Sequence, residues 1–202
     1  MMNRLATVFA AFLLSAGLAI LPMATGSMIS IAQAQQAQDN ATTFEPEEIS
    51  AAGHKFFGET TAGVAEVIEY TFHKLGKPTA YIVGEEGSGA FVGGLRYGEG
   101  TLIFKDQRPA QKVFWQGPSI GFDFGGNGSR VMVLVYNINS ADQLFDRYPG
   151  VDGSAYVVGG IGVNFQKIDD RTLAPIRTGV GLRMGVNAGY LKYTPEPTWN
   201  PF

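Results

Sequence analysis

The sequence predicts a mainly β fold with N-terminal helices: a small soluble, closed or nearly closed antiparallel β-barrel of about eight strands, packed by an amphipathic helix. From residue 79 onward, apolar residues alternate with a period of two in short segments separated by glycines, as is typical of barrels and sandwiches. Glycine makes up 27 of the 202 residues, about twice its usual share. Barrel closure would also remove exposed strand edges, which promote aggregation.

The composition excludes several functional classes. The chain is 45% hydrophobic and 12% aromatic, which is enough for a packed core and too apolar for a disordered protein. A net charge of −3 gives no broad attraction to nucleic acid. The sequence has no cysteine, which excludes disulfides, thiol nucleophiles and Cys-ligated metals.

Residues 1–34 have the organisation of a bacterial signal peptide. Arg4 is followed by 17 apolar or small residues, Leu5 to Leu21, and Ala32-Gln33-Ala34 matches the small-x-small pattern that signal peptidase cleaves. The alternative is an uncleaved anchor, since a run of this length lies near the lower limit of a membrane span. We expect cleavage before Gln35 and export to the periplasm of a Gram-negative bacterium.

Two helices are predicted between a flexible N-terminal segment over residues 35–45 and the first strand. A proline followed by two glutamates favours a helix near 46–57. An apolar stripe at helical spacing predicts a second helix near 62–75, and Gly76 suits its C-terminal end. Because this stripe needs a core to cover, residues 46–202 are predicted to form a single β-barrel domain.

The remaining elements are short strands and one short helix. Gly125-Gly126-Asn127-Gly128 predicts a hairpin between the two strands that flank it. Ser140 suits the start of a helix near 141–148, and three prolines predict an irregular tail over 194–202. The predicted strands are 79–83, 90–97, 101–105, 113–116, 119–124, 130–136, 156–167 and 178–193.

An outer-membrane barrel is the alternative architecture. An alternating Gly-rich strand and a terminal phenylalanine are both found in that class. However, Pro195, Pro197 and Pro201 prevent a fully paired terminal strand. We therefore favour the soluble barrel.

Four segments resemble one known family. Residues 78–86, 93–100, 121–126 and 130–136 are similar to a family of alphaproteobacterial periplasmic proteins that includes envelope integrity protein A. The resemblance covers nearly all of the chain after residue 34. It implies a small soluble eight-stranded β-barrel and a role in resisting envelope stress, and it implies no reaction and no catalytic residues.

A looser likeness is to the lipid-binding domains of Ysc84-type (SYLF) proteins. Those domains share a Gly-Glu-Gly turn between strands, a later apolar strand and a short helix. The counterparts here are Gly98-Glu99-Gly100, residues 131–135 and residues 140–148. The likeness implies phospholipid contact, although no strongly basic N-terminal helix is present to support it.

One motif matches a catalytic pattern by its letters. Gly117-Pro118-Ser119-Ile120-Gly121 fits the G-x-S-x-G nucleophile elbow, which requires a helix after the serine and a later histidine. Strand-like residues follow Ser119, and both histidines, His54 and His73, precede it. The motif is therefore interpreted as a turn entering a strand.

The charged pairs give no acid–base dyad. Glu47/Glu48, Glu85/Glu86 and Asp169/Asp170 are each adjacent in sequence, so their side chains diverge on a helix or a strand. We interpret them as solvated turns and caps. The two histidines are far apart and do not suffice for a metal site. We expect no catalytic residues, no metal and no cofactor.

The aromatic residues give the candidate ligand-binding site. Phe114 and Trp115 place consecutive large side chains on opposite faces of a strand, so one of them faces outward or lines a groove. Together with Arg96 and Tyr97, Trp115 forms our candidate surface for contact with a lipid or glycan.

These observations predict a non-enzymatic periplasmic protein that supports cell-envelope integrity and stress resistance. Its expected partner is an envelope component, namely a lipid, a glycan or an envelope protein. The alternative is a phospholipid-binding or lipid-transport module. We expect no nucleic-acid partner and no membrane-spanning segment after signal cleavage.

Overall fold

The computed structural model describes residues 42–58, 63–89, 94–119, 129–178 and 189–200. The expected signal peptide lies outside these residues. Within them, no helix is long and apolar enough to cross a membrane.

The described residues form two helices, one 3-10 turn and ten strands. The elements are helices α1 (Pro46–Phe57) and α2 (Val64–Leu75), a 3-10 turn (Ala141–Leu144), and strands β1 (Ala80–Gly89), β2 (Gly94–Phe104), β3 (Gln111–Ser119), β4 (Ser129–Tyr136), β5 (Arg147–Pro149), β6 (Tyr156–Val158), β7 (Ile161–Val163), β8 (Gln166–Ile168), β9 (Arg171–Thr178) and β10 (Tyr190–Thr194).

The two helices form where the sequence predicts them. Helix α1 begins with Pro46 in its first turn, and Glu45 and Glu48 form a reciprocal capping box there. Helix α2 ends at Leu75 because Gly76 adopts a φ of 78°, which favours glycine. Their apolar faces pack on the outside of the sheet.

The strands form one curled antiparallel sheet. Its order is β5-β10-β3-β2-β1-β4-β9, and β8 pairs with the far edge of β9. An isolated antiparallel bridge between Gly150 and Gln166 joins the end of β5 to β8. Eight strands therefore follow one another around a nearly closed barrel, which confirms the predicted fold class. Strands β7 and β6 extend the sheet from the remaining part of that edge of β9.

Strand β4 separates two apolar cores, because alternate residues of a strand face opposite sides. Val131, Val133 and Val135 belong to the cluster inside the barrel. Met132 and Leu134 belong to the cluster beneath the helices, together with Ile49 and Ile68. All six residues from 131 to 136 are buried, so the strand is covered on both faces.

Large side chains fill the barrel interior. Trp115, Tyr148 and Tyr193 are among the largest fully buried residues, and the Tyr193 ring lies 6.0 Å from Trp115 and 5.8 Å from Tyr148. Ile138 and Leu144, from the segment around the 3-10 turn, join the same cluster.

Several local expectations were wrong. The predicted helix near 141–148 is only a 3-10 turn, followed by strand β5. The expected hairpin between 119–124 and 130–136 lies largely outside the described residues; of its two strands, β4 pairs with β1 on one side and with β9 on the other. The end of the expected flexible segment 35–45 is packed, because Phe44 is buried and its N–H donates to the Pro78 carbonyl.

Glycines explain a further difference between the predicted and the observed strands. Gly98-Glu99-Gly100, interpreted as a turn between two strands, lies within the single strand β2 and pairs with both β1 and β3. A Cβ at Gly98 would lie 2.2 Å from the Trp115 indole, and one at Gly100 would lie 2.7 Å from the Val83 carbonyl oxygen. These glycines therefore allow close approach of neighbouring groups across the wall.

Candidate functional site

Strands β1, β2 and β3 form a wall whose two faces carry different chemistry. In each of three adjacent residue pairs, one side chain is largely buried on the inward face of the wall and its neighbour lies on the outward face. The buried members are Glu86, Arg96 and Trp115, and the outward members are Glu85, Tyr97 and Phe114.

The buried members meet in an ionic cluster. Arg177 Nε donates to Glu86 Oε1 at 3.1 Å, and Arg96 Nε lies 3.3 Å from the same oxygen. Trp115 Nε1 donates to Glu86 Oε2 at 2.8 Å. Arg177 Nη1 donates to Asn164 Oδ1 at 2.9 Å, which ties the cluster to the segment between β7 and β8.

The cluster keeps Glu86 ionised. Burial by itself raises the pKa of this carboxyl, but the guanidiniums of Arg177 and Arg96, with hydrogen bonds from Arg177 and Trp115, outweigh burial and hold the pKa below its ordinary value. The charged groups already hold one another, so we interpret the cluster as a structural feature of the barrel.

A cavity of about 510 Å³ lies on the outer side of this wall. The tail that follows β10 borders it opposite the strands. Glu86, Gly98 and Trp115, which pair with one another across the three strands, also border the cavity. We call it the outer groove; it is lined by Glu85, Glu86, Gly87, Tyr97, Gly98, Glu99, Phe114, Trp115, Gln116, Pro197, Thr198 and Trp199.

Tyr97 anchors the tail across the outer groove. Its hydroxyl donates to the Trp199 carbonyl oxygen at 3.1 Å, and the two rings meet edge to face with centroids 5.2 Å apart. Trp199 is nevertheless 85% exposed. An exposed indole beside a cavity is typical of a binding surface.

Gln116 gives the outer groove a buried polar group. The residue is 1% exposed, and its Nε2 has no hydrogen-bond partner among the described residues. Leaving a buried amide donor unsatisfied destabilises the free protein. Such a group therefore favours a ligand that supplies a hydrogen-bond acceptor.

The three sequence-predicted site residues lie on different faces of the wall. Tyr97 lines the outer groove on its outward side. The expectation that Arg96 and Trp115 are surface residues was wrong: Trp115 is 1% exposed, and the side chain of Arg96 is 11% exposed beside Glu86. Of these two, only Trp115 is among the residues that border the groove.

The sequence analysis did not identify several residues that lie at the two faces of the β1–β2–β3 wall. Glu86 was interpreted as a solvated residue, although the alternation of Ala80, Ile82 and Gly84 extends to it and places it on the inward face. Arg177 lies 91 residues away, so sequence proximity gives no sign of their contact. Trp199 lies in the segment 194–202, which was predicted to be irregular and was given no role.

The histidines and Ser119 lie on separate elements of the fold. His54 lies on α1 and His73 on α2, whereas Ser119 is the last residue of β3, paired with Gly94. Among the residues that the structure describes, no three acidic or histidine side chains form a group that could hold a metal ion.

Comparison with known proteins agrees with this architecture. A crystal structure of a β-barrel-like protein from Brucella abortus is 57% identical, covering 80% of this chain and 100% of that chain, with a TM-score of 0.73. No curated protein matches the chain significantly. A family model described as Envelope integrity protein A matches residues 42–202. The chain therefore belongs to the envelope integrity protein A family.

Proposed function

We propose that this protein is a non-enzymatic periplasmic factor that supports envelope integrity by binding an envelope component in the outer groove. The observation that carries the proposal is the groove itself: a cavity of about 510 Å³ with Tyr97, Phe114 and the exposed Trp199 around it. Aromatic side chains around a cavity supply apolar contact area at little entropic cost. The family name supports the role in the envelope.

The predicted signal peptide supports the same function. Residues 1–34 have a cationic start, an apolar run and the Ala32-Gln33-Ala34 cleavage pattern, and a factor that acts on envelope material needs to reach the periplasm. The expected product of cleavage begins at Gln35, before the first described residue. Cell fractionation and N-terminal sequencing of the exported protein test the location and the cleavage site together.

Binding rather than catalysis fits the polar groups near the groove. Glu86 is neutralised by Arg177 and Arg96, and Glu99 pairs with Lys112 at 2.9 Å. A catalytic acid or base needs to exchange its proton with a substrate, whereas the pKa of Glu86 is held below its ordinary value by groups inside the barrel. Glu99, which lies at the margin of the groove, is better suited to accepting hydrogen bonds from a ligand.

The alternative is a phospholipid-binding or lipid-transport module. The interior is packed around Trp115, Tyr148 and Tyr193, so among the described residues the outer groove is a better place for a lipid than the barrel interior. Co-sedimentation with anionic and zwitterionic vesicles distinguishes this alternative from binding of another envelope component.

A deletion strain complemented with groove variants tests the proposed function. The strain should be killed by lower concentrations of detergent and of envelope-targeting antibiotics than the parent, and the unmodified gene should restore tolerance. The double variant Tyr97→Ala/Trp199→Ala should reach the periplasm in normal amounts and restore little tolerance, because both groove aromatics are missing.

Val157→Ala is the matched control, since Val157 is an exposed apolar residue of β6, which lies outside the groove lining. It should restore tolerance in full. Normal tolerance of the deletion strain would refute the role in envelope integrity. Full complementation by the double variant would refute the outer groove as the site of action.

A further inference from the structure

We infer that the outer groove binds an uncharged sugar unit of an envelope polysaccharide, which names the ligand class for the proposed function and rests on it. Three groups of the groove carry the inference: the Trp199 indole, the unsatisfied Gln116 amide and the carboxylates of Glu85 and Glu99. A sugar ring has apolar C–H faces and hydroxyls around its edge. It therefore suits stacking on the indole and hydrogen bonding to the amide and the carboxylates at the same time.

The aromatic groups provide the stacking surface. Trp199 is 85% exposed although Tyr97 fixes its backbone carbonyl and touches its ring edge to face. The indole is therefore positioned by the fold and still accessible. Positioning before binding lowers the entropic cost of association.

The amide distinguishes a hydroxyl-rich ligand from an ammonium-type ligand. Gln116 lines the groove and is only 1% exposed. Its Nε2 has no hydrogen-bond partner among the described residues. A quaternary ammonium group would suit the aromatic rings, as aromatic cages do, but it offers this amide no acceptor. A sugar hydroxyl accepts a hydrogen bond from the amide and donates one to a carboxylate with the same oxygen.

The charges of the lining favour a neutral ligand. Three glutamates line the groove, and its lining includes no lysine or arginine. Glu86 is compensated from inside the barrel and Glu99 is paired with Lys112 at the margin, while Glu85 is exposed. An anionic sugar or a phosphate group would face these carboxylates without a cation in the lining to receive it, and like-charge contacts oppose binding.

Calorimetric titration of the purified protein with two fractions of the source bacterium's envelope tests the inference. The first fraction is the neutral, delipidated polysaccharide released by mild acid, and the second is vesicles of the extracted phospholipids. We expect the neutral polysaccharide to bind. Trp199→Ala should weaken this binding at least tenfold, whereas Trp199→Phe, which keeps an aromatic ring, should stay within about threefold of the unmodified protein, and Val157→Ala should not change it.

Gln116→Leu supplies a readout that a purely structural role would not give. The variant removes an unsatisfied buried donor, so its Tm should be unchanged or higher, while its affinity for the neutral polysaccharide should fall at least tenfold. A lower Tm with unchanged affinity would overturn the role assigned to Gln116 in ligand recognition.

The outcomes separate the sugar inference from the proposed function. Binding of vesicles in a Trp199-dependent way, with no binding of the neutral polysaccharide, would overturn the sugar inference and leave the groove as the site of function. Binding of neither fraction, or binding that Trp199→Ala leaves unchanged, would overturn both.

Discussion

On the inner face of the β1–β2–β3 wall, the Glu86 carboxylate holds the Trp115 indole and the Arg177 guanidinium within hydrogen-bonding distance. On the outer face, the preceding residue, Glu85, is exposed, and the Trp199 residue is 85% accessible to solvent. The same two chemical groups, a carboxylate and an indole, are locked together inside the barrel and left available outside it.

This difference follows from strand alternation and from glycine. Alternation sends Glu85 and Glu86 to opposite faces, so adjacent residues of one type acquire different roles. Gly98 then allows close packing on the inner face, because the Trp115 ring occupies the space that a Cβ would fill. The inner face therefore carries a packed ionic cluster, whereas the outer face carries the cavity that the tail borders.

The largest expected effect comes from breaking the inner cluster. Glu86→Gln should lower the free energy of unfolding by about 3–5 kcal/mol, because it leaves the guanidiniums of Arg96 and Arg177 buried without their carboxylate. Urea denaturation at neutral pH measures the loss as a lower midpoint at an unchanged slope.

Glu85→Gln is the matched control, since it makes the same chemical change one residue away on the exposed face. Its free energy of unfolding should stay within about 0.5 kcal/mol of the unmodified protein. Equal losses in the two variants would contradict the assignment of these glutamates to opposite faces.

The sequence predicts the helices and the barrel more fully than it predicts this wall. Helix α2 and its end at Gly76 follow from local spacing and local backbone preference. The contact between Glu86 and Arg177 depends on how β9 is placed beside β4, and neighbouring residues carry no information about that placement.

Pro175 makes strand β9 difficult to predict from the sequence. Pro175 has no N–H to donate, which ordinarily argues against a strand. In the structure, β8 pairs with residues 171–173 and β7 with residues 176–178 on the same edge of β9. Pro175 falls between these two ladders, where no partner strand on that edge needs its donor.

A smaller effect should follow from filling the space that Gly98 leaves. Gly98→Ala places a Cβ 2.2 Å from the Trp115 indole, so the ring has to move away from Glu86. Overpacking of this kind costs about 1–3 kcal/mol in the free energy of unfolding. Thermal unfolding, with near-ultraviolet circular dichroism to follow the tryptophan environment, measures the change.

Gly87→Ala is the control for the glycine substitution, because a Cβ at Gly87 meets nothing within 4 Å. It should not destabilise the protein measurably. If Gly98→Ala also left the stability unchanged, the close approach between Gly98 and the Trp115 ring would not be needed for stability. The Gly98-Glu99-Gly100 sequence illustrates why this was hard to foresee: glycines next to a charged residue resemble a turn, whereas here they serve a paired strand.

The smallest effect on stability is expected at the outer face. Trp199→Ala should change the free energy of unfolding by less than about 0.5 kcal/mol, because the indole is 85% exposed and little apolar contact is lost. Trp115→Phe, the opposite-face control, should cost about 1–3 kcal/mol, since it removes the indole donor from the buried Glu86 carboxylate. Urea denaturation of both variants compares the two faces directly. A loss above about 1 kcal/mol for Trp199→Ala would mean that the tail stabilises the barrel, and the exposed indole would then be explained by folding rather than by binding.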